Sequence, residues 1–214
     1  KIQVDSSASS GSGSSSSGSS TTDTSNGTVV TSFSELTAAV TKAEKAGGGI
    51  VYVKGSSISC TAQLALKASN ANVSIIGVKN SDGTYPVLDF SAFRSAYIGK
   101  ATTDSEVGIR ISGSNYTIKN LIIQKAPDNG IQIKGSSAGN NTIENCIVRY
   151  NNDAGVQITG GAYSNTMRFV YSYRNCDVYT LGGNADGFAP KLGAGKGNVF
   201  YGCYSWENSD DGWD

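Results

Sequence analysis

The chain has 214 residues, and its 17 Lys and Arg residues balance 17 Asp and Glu residues, so it carries no basic footprint for nucleic acid. It contains no histidine, which excludes a His general base, a Ser-His-Asp triad and a His-ligated zinc site from this segment. No apolar run is long enough to span a bilayer. We therefore expect neither a nucleic-acid nor a membrane partner, and any chemistry must use carboxylates, Lys, Arg, Tyr or a hard metal ion.

Residues 1–28 consist mostly of Ser, Gly and Thr. Such tracts bury too little apolar surface to offset the entropy of ordering, and they act as flexible linkers. We predict a linker, or the tail of an upstream module, over residues 1–28 and one folded domain over residues 29–214. Ser-rich linkers are common in modular secreted proteins, so we expect an extracellular location. The chain has no starting Met and ends inside a motif, and we expect it to be truncated at both ends.

One helix is predicted directly after the linker. Ser32 and Glu35 have the spacing of a capping box. Apolar residues then recur at helical spacing, namely Leu36, Ala39, Val40 and Ala43. Three consecutive glycines, residues 47–49, end the helix, and residues 50–53 are predicted to form a strand.

From about residue 115 the chain repeats itself. The segment Asn115–Ile123 matches Asn140–Val148, and further copies begin at Asn165 and Asn198. The turns that follow are marked by Gly130, Gly155, Gly187 and Gly212, in steps of 25, 32 and 25 residues. A period in this range, with several short apolar strands, predicts an all-β fold, a parallel β-helix with one coil per period. The helix would be its N-terminal cap.

Residues one period apart would lie on neighbouring coils, ~4.8 Å apart. One inward-facing column is predicted to contain Leu121, Cys146, Val170 and Cys203. Cys146 and Cys203 would then be ~10 Å apart, which is beyond the reach of a disulfide. We predict that both are packed thiols. The total of four cysteines is otherwise compatible with either disulfides or free thiols.

Aspartate recurs at one turn position of successive coils, as Asp128, Asp153, Asp177 and Asp210. The simplest explanation for the first three is that Asp stabilises the turn by bonding its own backbone. Two other positions depart from the repeat. Asp186 and Asp211 stand where earlier coils have Asn129 and Ala154, and Asp214 stands where they have Gln132 and Gln157.

The predicted register brings four carboxylates to one place: Asp186, Asp210, Asp211 and Asp214. At an effective dielectric constant of about 20, each close pair would repel by on the order of a few kcal/mol, so the cluster needs protons or a cation. An oxygen-only set without His or Cys suits Ca²⁺, which accepts about six to eight oxygens. A solvated acidic turn is the alternative. The insertion at residues 178–185 would form a loop beside this site.

The sequence around these aspartates resembles polysaccharide lyase family 9, which contains pectate lyases and rhamnogalacturonan lyases. The resemblance rests on NADGFAPK at Asn184–Lys191, on Gly197–Cys203 and on SWENSDDGWD at Ser205–Asp214. It extends back over the repeats, including Lys125–Ile131, and is strongest after residue 184. It implies a right-handed parallel β-helix of the pectate-lyase type.

The resemblance also implies that Asp186, Asp210, Asp211 and Asp214 bind the catalytic Ca²⁺ of an enzyme that cleaves acidic plant cell-wall polysaccharide by β-elimination. The base of that family is a lysine on a later coil, so we expect no catalytic base in this chain. Lys191 is a candidate for binding the substrate carboxylate, with a solvated loop lysine as the alternative. We expect a monomer.

Two other functions stay open at this point. Polygalacturonases on the same fold also carry Asn-x-Asp-Gly followed by Asp-Asp, and use the aspartates as general acid and base. Asp214 and the Gly-Trp that follows Asp-Asp favour the lyase. A non-catalytic carbohydrate-binding β-helix is the other rival. Outward aromatic residues, Tyr171, Tyr173, Tyr204 and Trp206, would be either a sugar platform or the floor under a loop.

Overall fold

The computed structural model describes residues 22–214. The predicted linker, residues 1–28, lies outside the described residues except for its last seven. The first strand begins at Thr28, beside the predicted boundary of the folded domain. Within residues 22–214, neither helix is both long and apolar enough to cross a membrane.

Short strands and two helices alternate with turns along the described chain. In chain order they are β1 (Thr28–Val30), α1 (Phe33–Lys45), β2 (Gly49–Val53), β3 (Ser57–Ser59), β4 (Leu64–Leu66), β5 (Val73–Gly77), β6 (Val87–Asp89), α2 (Ser91–Arg94), β7 (Ile109–Ile111), β8 (Tyr116–Lys119), β9 (Ile122–Gln124), β10 (Ile131–Lys134), β11 (Thr142–Glu144), β12 (Ile147–Arg149), β13 (Val156–Thr159), β14 (Thr166–Arg168), β15 (Tyr171–Tyr173), β16 (Phe188–Pro190), β17 (Val199–Tyr201) and β18 (Tyr204–Trp206).

These strands form three parallel sheets. The first sheet has the order β1-β2-β5-β8-β11-β14-β17, the second β3-β6-β9-β12-β15-β18 and the third β4-β7-β10-β13-β16. Each of the five complete coils, from β2 to β16, contributes one strand to each sheet. Every named pair in the sheets is parallel, as between β11 and β14. The predicted parallel β-helix is confirmed.

The predicted register is also confirmed. Val148 of β12 pairs with Ile123 on one side and with Ser172 on the other, and Ser172 pairs with Ser205. In most strands alternate residues are apolar and point inward, whereas β15 and β18 place Ser172 and Ser205 at the inward position. The resulting core is continuous from Val51 near the cap to Phe188 of β16.

Coils exist that the sequence repeat did not reveal. Strands β2 to β4 and β5 to β7 form two coils before residue 115. Loops of unequal length separate their strands, and one of these loops contains the short helix α2. Because the loop lengths differ, no constant period connects these coils with the later ones.

The helix α1 covers the N-terminal end of the core. Its buried face contains Leu36, Ala39 and Val40. The Ser32 hydroxyl accepts a hydrogen bond from Glu35 N at 3.3 Å, as the capping box predicts. The Glu35 carboxylate, however, accepts from Thr31 N at 2.7 Å, one residue earlier than a capping box places it. The cap therefore also fixes the chain that enters the helix from β1.

All four cysteines are free thiols in the described part of the chain. Cys146 and Cys203 lie on one inward column with Val170 between them. Hydrogen bonds between neighbouring coils show this order, because Tyr171 N donates to Cys146 O and Tyr204 N donates to Val170 O. Burial raises the pKa of Cys146 to about 12, so its thiol is not a reactive thiolate. The prediction that Cys146 and Cys203 are packed thiols is confirmed.

Candidate metal centre

The acidic residues lie on the turns that lead from the second sheet to the third. Asn151, Asn175 and Asn208 start these turns on successive coils. Hydrogen bonds align them, because the backbone N of each asparagine donates to the side-chain Oδ1 of the next. An aspartate follows each asparagine by two residues, which places Asp153, Asp177 and Asp210 in one row. Asp128 precedes them in the row, because Ala126 N bonds the Asn151 side chain at 2.9 Å.

Three members of this row stabilise their own turns, as predicted. Asp128 Oδ1 accepts from Asn129 N at 2.6 Å, and Asp153 Oδ1 accepts from Ala154 N at 2.6 Å. Asp177 Oδ1 accepts from Tyr179 N at 2.9 Å and so begins the inserted loop. The carboxylate of Asp177 is occupied by this loop and does not belong to the acidic cluster described next.

Asp186, Asp210 and Asp211 bring their carboxylates together. One oxygen from each lies within 4.8 Å of the others. Asp186 is completely buried, whereas Asp210 and Asp211 are exposed. Asp211 N donates to Asp186 Oδ1 at 3.2 Å, so the backbone of one coil holds the carboxylate of the coil before it.

Asp214 is joined to this cluster through Lys191. The Nζ of Lys191 donates to Asp186 Oδ2 at 2.8 Å and to Asp214 Oδ2 at 2.5 Å. The sequence reasoning did not foresee these contacts, although strand alternation contains a signal for them. Phe188 bridges to Trp213, which makes Ala189 the neighbour of Asp214, and Lys191 projects from the same face two residues later.

The electrostatics of the centre are dominated by the buried Asp186. Burial raises the pKa of Asp186, and the hydrogen bond from Lys191 acts in the opposite direction. For Lys191, burial acts to lower the pKa, but the carboxylates of Asp186 and Asp214 hold it above its ordinary value. The ammonium of Lys191 therefore opposes the effect of burial and favours the ionised form of Asp186.

The donor set fits a hard divalent cation. Its ligand atoms are carboxylate oxygens, with one buried member and two exposed members within 4.8 Å of each other. Ca²⁺ prefers such oxygens and tolerates the irregular geometry that residues from two turns provide. Asp186, Asp210 and Asp211, together with Asp214 on the same face, are the residues that could hold it.

Two features hold these turns in register. Asn175 Nδ2 donates to Asn208 Oδ1 at 2.9 Å, which continues the asparagine ladder, defined as Asn151, Asn175 and Asn208, up to the turn that carries Asp210. Gly187 follows Asp186, and a Cβ at this position would lie 1.8 Å from Ser205 Oγ. Only glycine allows the two coils to approach this closely.

The inserted loop lies beside the centre, as predicted. Ser209 Oγ donates to Gly182 O at 2.9 Å, which fastens the loop to the residue just before Asp210. The aromatic residues lie elsewhere, on the outer face of the second sheet. There Tyr173 and Trp206 stack with their ring centroids 4.3 Å apart, and Tyr204 is 62% exposed.

Comparison with known proteins gives consistent matches. A family profile described as "Pel9A-like, right handed beta helix region" matches residues 17–214. Pectate lyase L of Paenibacillus polymyxa (strain SC2) is 34% identical over 187 residues, which cover 84% of this chain and 39% of that protein. This family description confirms the predicted right-handedness of the β-helix.

Solved structures also match. The crystal structure of pectate lyase Pel9A has a TM-score of 0.66 and 29% identity over 85% of this chain and 44% of that chain. A rhamnogalacturonan lyase has a TM-score of 0.60 at 23% identity, which shows the fold alone. The chain spans less than half the length of each of these proteins.

Proposed function

The chain belongs to the family of Pel9A-like right-handed β-helix proteins, and on that premise we propose that it forms the calcium-binding part of a secreted polysaccharide lyase. The proposed substrate is acidic pectic polysaccharide of the plant cell wall, cleaved by β-elimination. One observation carries the proposal: the buried Asp186 and the exposed Asp210 and Asp211 place carboxylate oxygens within 4.8 Å of one another.

The proposed calcium ligands are Asp186, Asp210, Asp211 and Asp214. The first three already form a cluster of carboxylates. Asp214 shares the ammonium of Lys191 with Asp186. The proposed role of Lys191 is to bind the carboxylate of a uronate residue, because its ammonium lies at the centre and its side chain is 23% exposed.

The difficult step in eliminating a uronate is removal of the proton on C5, next to the C6 carboxylate. A bound calcium ion would stabilise the negative charge that develops on that carboxylate. The aspartates would hold the calcium ion that attracts this carboxylate, and Lys191 would add a second positive charge beside it. The proposed base is a lysine outside residues 1–214. Such a base must be neutral to act, which predicts an optimum above neutral pH.

Calcium titration of the chain tests the proposal. We expect the wild-type chain, first freed of metal with a chelator, to bind one Ca²⁺ in isothermal titration calorimetry. Asp211→Asn removes one charged ligand and should weaken binding by about tenfold or more. Asp82→Asn is the matched control, because Asp82 lies in the exposed loop after β5 and only bonds Thr84. Absence of Ca²⁺ binding, or equal binding by both variants, would contradict the proposal.

The reaction class is tested with an enzyme that contains this chain together with the coils that carry the base. We expect this enzyme to release a 4,5-unsaturated sugar, which is the product of β-elimination and absorbs ultraviolet light, and to do so only with Ca²⁺ present. A hydrolase of the polygalacturonase type would release reducing ends without this absorbance.

A further inference from the structure

The inserted loop, residues 178–185, is built around the carboxylate of Asp177. This side chain is 6% exposed. Its Oδ1 accepts from Tyr179 N at 2.9 Å and from Thr180 N at 3.1 Å. Its Oδ2 accepts from Thr180 Oγ1 at 2.6 Å and from Asn184 Nδ2 at 3.4 Å. Both oxygens of Asp177 are therefore bonded to the loop.

The buried carboxylate of Asp177 depends on these bonds. Among residues 22–214 it forms no salt bridge, and a buried charge without a cation needs hydrogen bonds to be tolerated. Asp153 has the same position on the coil before, where it bonds only the next residue, Ala154 N. Asp177 therefore orders a whole loop, whereas Asp153 stabilises only its own turn.

The loop in turn supports the turn that carries Asp210. Ser209 Oγ donates to Gly182 O at 2.9 Å, and Asp210 N donates to Ala185 O at 3.4 Å. Gly182 N is itself bonded to Asp177 O at 2.7 Å. A continuous path of hydrogen bonds thus leads from Asp177 through the loop to the backbone of Asp210.

Two other members of the metal centre are held by contacts outside the loop. Asp211 N donates to Asp186 Oδ1 at 3.2 Å, and Asp214 N donates to Phe188 O at 3.0 Å. Asp210, by contrast, is exposed and has its backbone N bonded to the last residue of the loop. Asp210 is therefore the residue whose position depends on the loop.

We propose that Asp177 is a positioning residue of the metal centre, which strengthens Ca²⁺ binding through the inserted loop and the backbone of Asp210. The asparagine ladder sets the spacing of the coils, and the loop limits how far the turn at Asp210 can move. A ligand that is held in place before the ion arrives loses less conformational freedom on binding. The inference rests on the proposed function, because it takes Asp210 as a ligand of Ca²⁺.

Two substitutions of Asp177 separate the loop from the charge. Asp177→Asn removes the charge but keeps an acceptor for the two backbone donors, and its amide can donate to Thr180 Oγ1. Asp177→Ala removes the charge and both acceptors. At about 0.5 M KCl, where charge effects are screened beyond a few ångströms, calorimetry should show Ca²⁺ binding about tenfold weaker in Asp177→Ala and within about twofold of wild type in Asp177→Asn. An equal loss in both variants would indicate a charge effect and overturn the inference.

A double-mutant cycle identifies the ligand through which Asp177 acts. The effect of Asp177→Ala should fall below about twofold in an Asp210→Asn background and persist in an Asp214→Asn background. Affinities in these backgrounds come from the rise in melting temperature with Ca²⁺ concentration, which also reports weak binding. The same effect in both backgrounds would contradict a path through Asp210.

Ser209→Ala tests the path without changing Asp177. Ser209 is exposed, and its hydroxyl bonds only Gly182 O across the coils, so the core is untouched. This variant should bind Ca²⁺ about threefold more weakly, and unchanged binding would count against the path. The control is Asp128→Ala, which removes a turn aspartate of the same row two coils before Asp177 and should leave Ca²⁺ affinity unchanged.

Hydrogen exchange of the metal-free chain gives a measurement that does not involve Ca²⁺. The amides of Tyr179 and Thr180 should exchange faster in Asp177→Ala than in wild type, and at nearly the wild-type rate in Asp177→Asn. Wild-type exchange in Asp177→Ala would show that the loop does not need this carboxylate. Failure of the proposed function is a different outcome, because it appears as absent Ca²⁺ binding in the wild-type chain or as unchanged Ca²⁺ binding in Asp211→Asn.

Discussion

Lys191 places a positive charge between two carboxylates of the metal centre. Its Nζ contacts Asp186 and Asp214 at 2.8 and 2.5 Å. An ammonium there neutralises part of the charge that would otherwise destabilise the buried Asp186. The same ammonium would repel a divalent cation at the proposed site. We therefore expect Lys191 both to stabilise the metal-free protein and to oppose metal binding.

Substituting Lys191 separates these two effects. In Lys191→Met, loss of the ion pair leaves the buried Asp186 without a cationic partner, which should lower the stability of the metal-free chain by about 3–5 kcal/mol. The increase in melting temperature on adding Ca²⁺ should be larger than in the wild type, and oligogalacturonate should bind more weakly at saturating Ca²⁺. Thermal unfolding with and without Ca²⁺ measures the stability and the Ca²⁺-induced shift. Calorimetry measures the binding of oligogalacturonate. Lys196→Met, at an exposed lysine near β17, is the control. An unchanged Ca²⁺-induced shift would show that Lys191 does not oppose the metal.

The carboxyl group of Asp153 gives the fold a dependence on pH. Burial, together with repulsion from Asp128 and Asp177, raises the pKa of Asp153 from its ordinary 3.8 to about 7. Folding therefore favours the neutral form, and ionisation of Asp153 destabilises the fold. The loss of stability begins above the unfolded pKa, near pH 4, and is complete above pH 7.

Asp153→Asn should remove this loss. The variant should unfold at nearly the wild-type temperature at pH 4 and at a higher temperature than wild type at pH 8, when both are measured with a chelator present. Asp82→Asn should show no such gain at pH 8. A gain of the same size at both pH values would mean that the carboxyl is not responsible.

At the scale of the elements, the asparagine ladder connects folding to the metal centre. Asn175 accepts from Asn151 N at 3.1 Å and from Asn151 Nδ2 at 2.9 Å, and donates to Asn208 Oδ1 at 2.9 Å. The turn that begins at Asn208 carries Asp210 and Asp211. The ladder therefore transmits the spacing of the coils to two of the proposed ligands.

Asn175→Ala should weaken both stability and metal binding. It removes the central acceptor of the ladder and leaves donors of Asn151 unpaired, at a cost of about 2–4 kcal/mol. Calcium affinity should fall as the turn after Asn208 loosens. The control is Asn165→Ala, because Asn165 is the middle of a similar ladder, between Asn141 and Asn198, at the turns from the third sheet to the first. Asn165→Ala should lose a similar amount of stability, measured by urea unfolding, and keep its Ca²⁺ affinity. If its Ca²⁺ affinity also fell, the effect of Asn175→Ala on Ca²⁺ binding would be a general result of lower stability.

The repeat made the later coils predictable from sequence, and the exceptions have physical reasons. A period of about 25 residues placed Asp186 beside Asp211 because a parallel sheet fixes the spacing of its strands. The ion pairs of Lys191 depend on the rotamers of a long side chain, which the period does not specify. Such side-chain details became visible only in three dimensions.

For the whole molecule, a single core extends through all three sheets and is closed by α1 at one end. The polar row on the third sheet runs along this core from Arg110 through Gln132 and Gln157 to Asp214. A linear glycan can follow such a row because neighbouring positions are separated by one strand spacing. The proposed metal centre thus lies at one end of this row of outward side chains.

The inserted loop shows how much freedom this architecture leaves at its corners. The ladder step from Asn151 to Asn175 takes 24 residues and the step from Asn175 to Asn208 takes 33, yet both advance the chain by one coil. The additional length leaves the solenoid and rejoins it at the same level. Evolution or protein engineering could therefore replace the inserted loop with a different loop. The surroundings of the proposed calcium ion would change, while the distance between its ligands on the two coils is preserved.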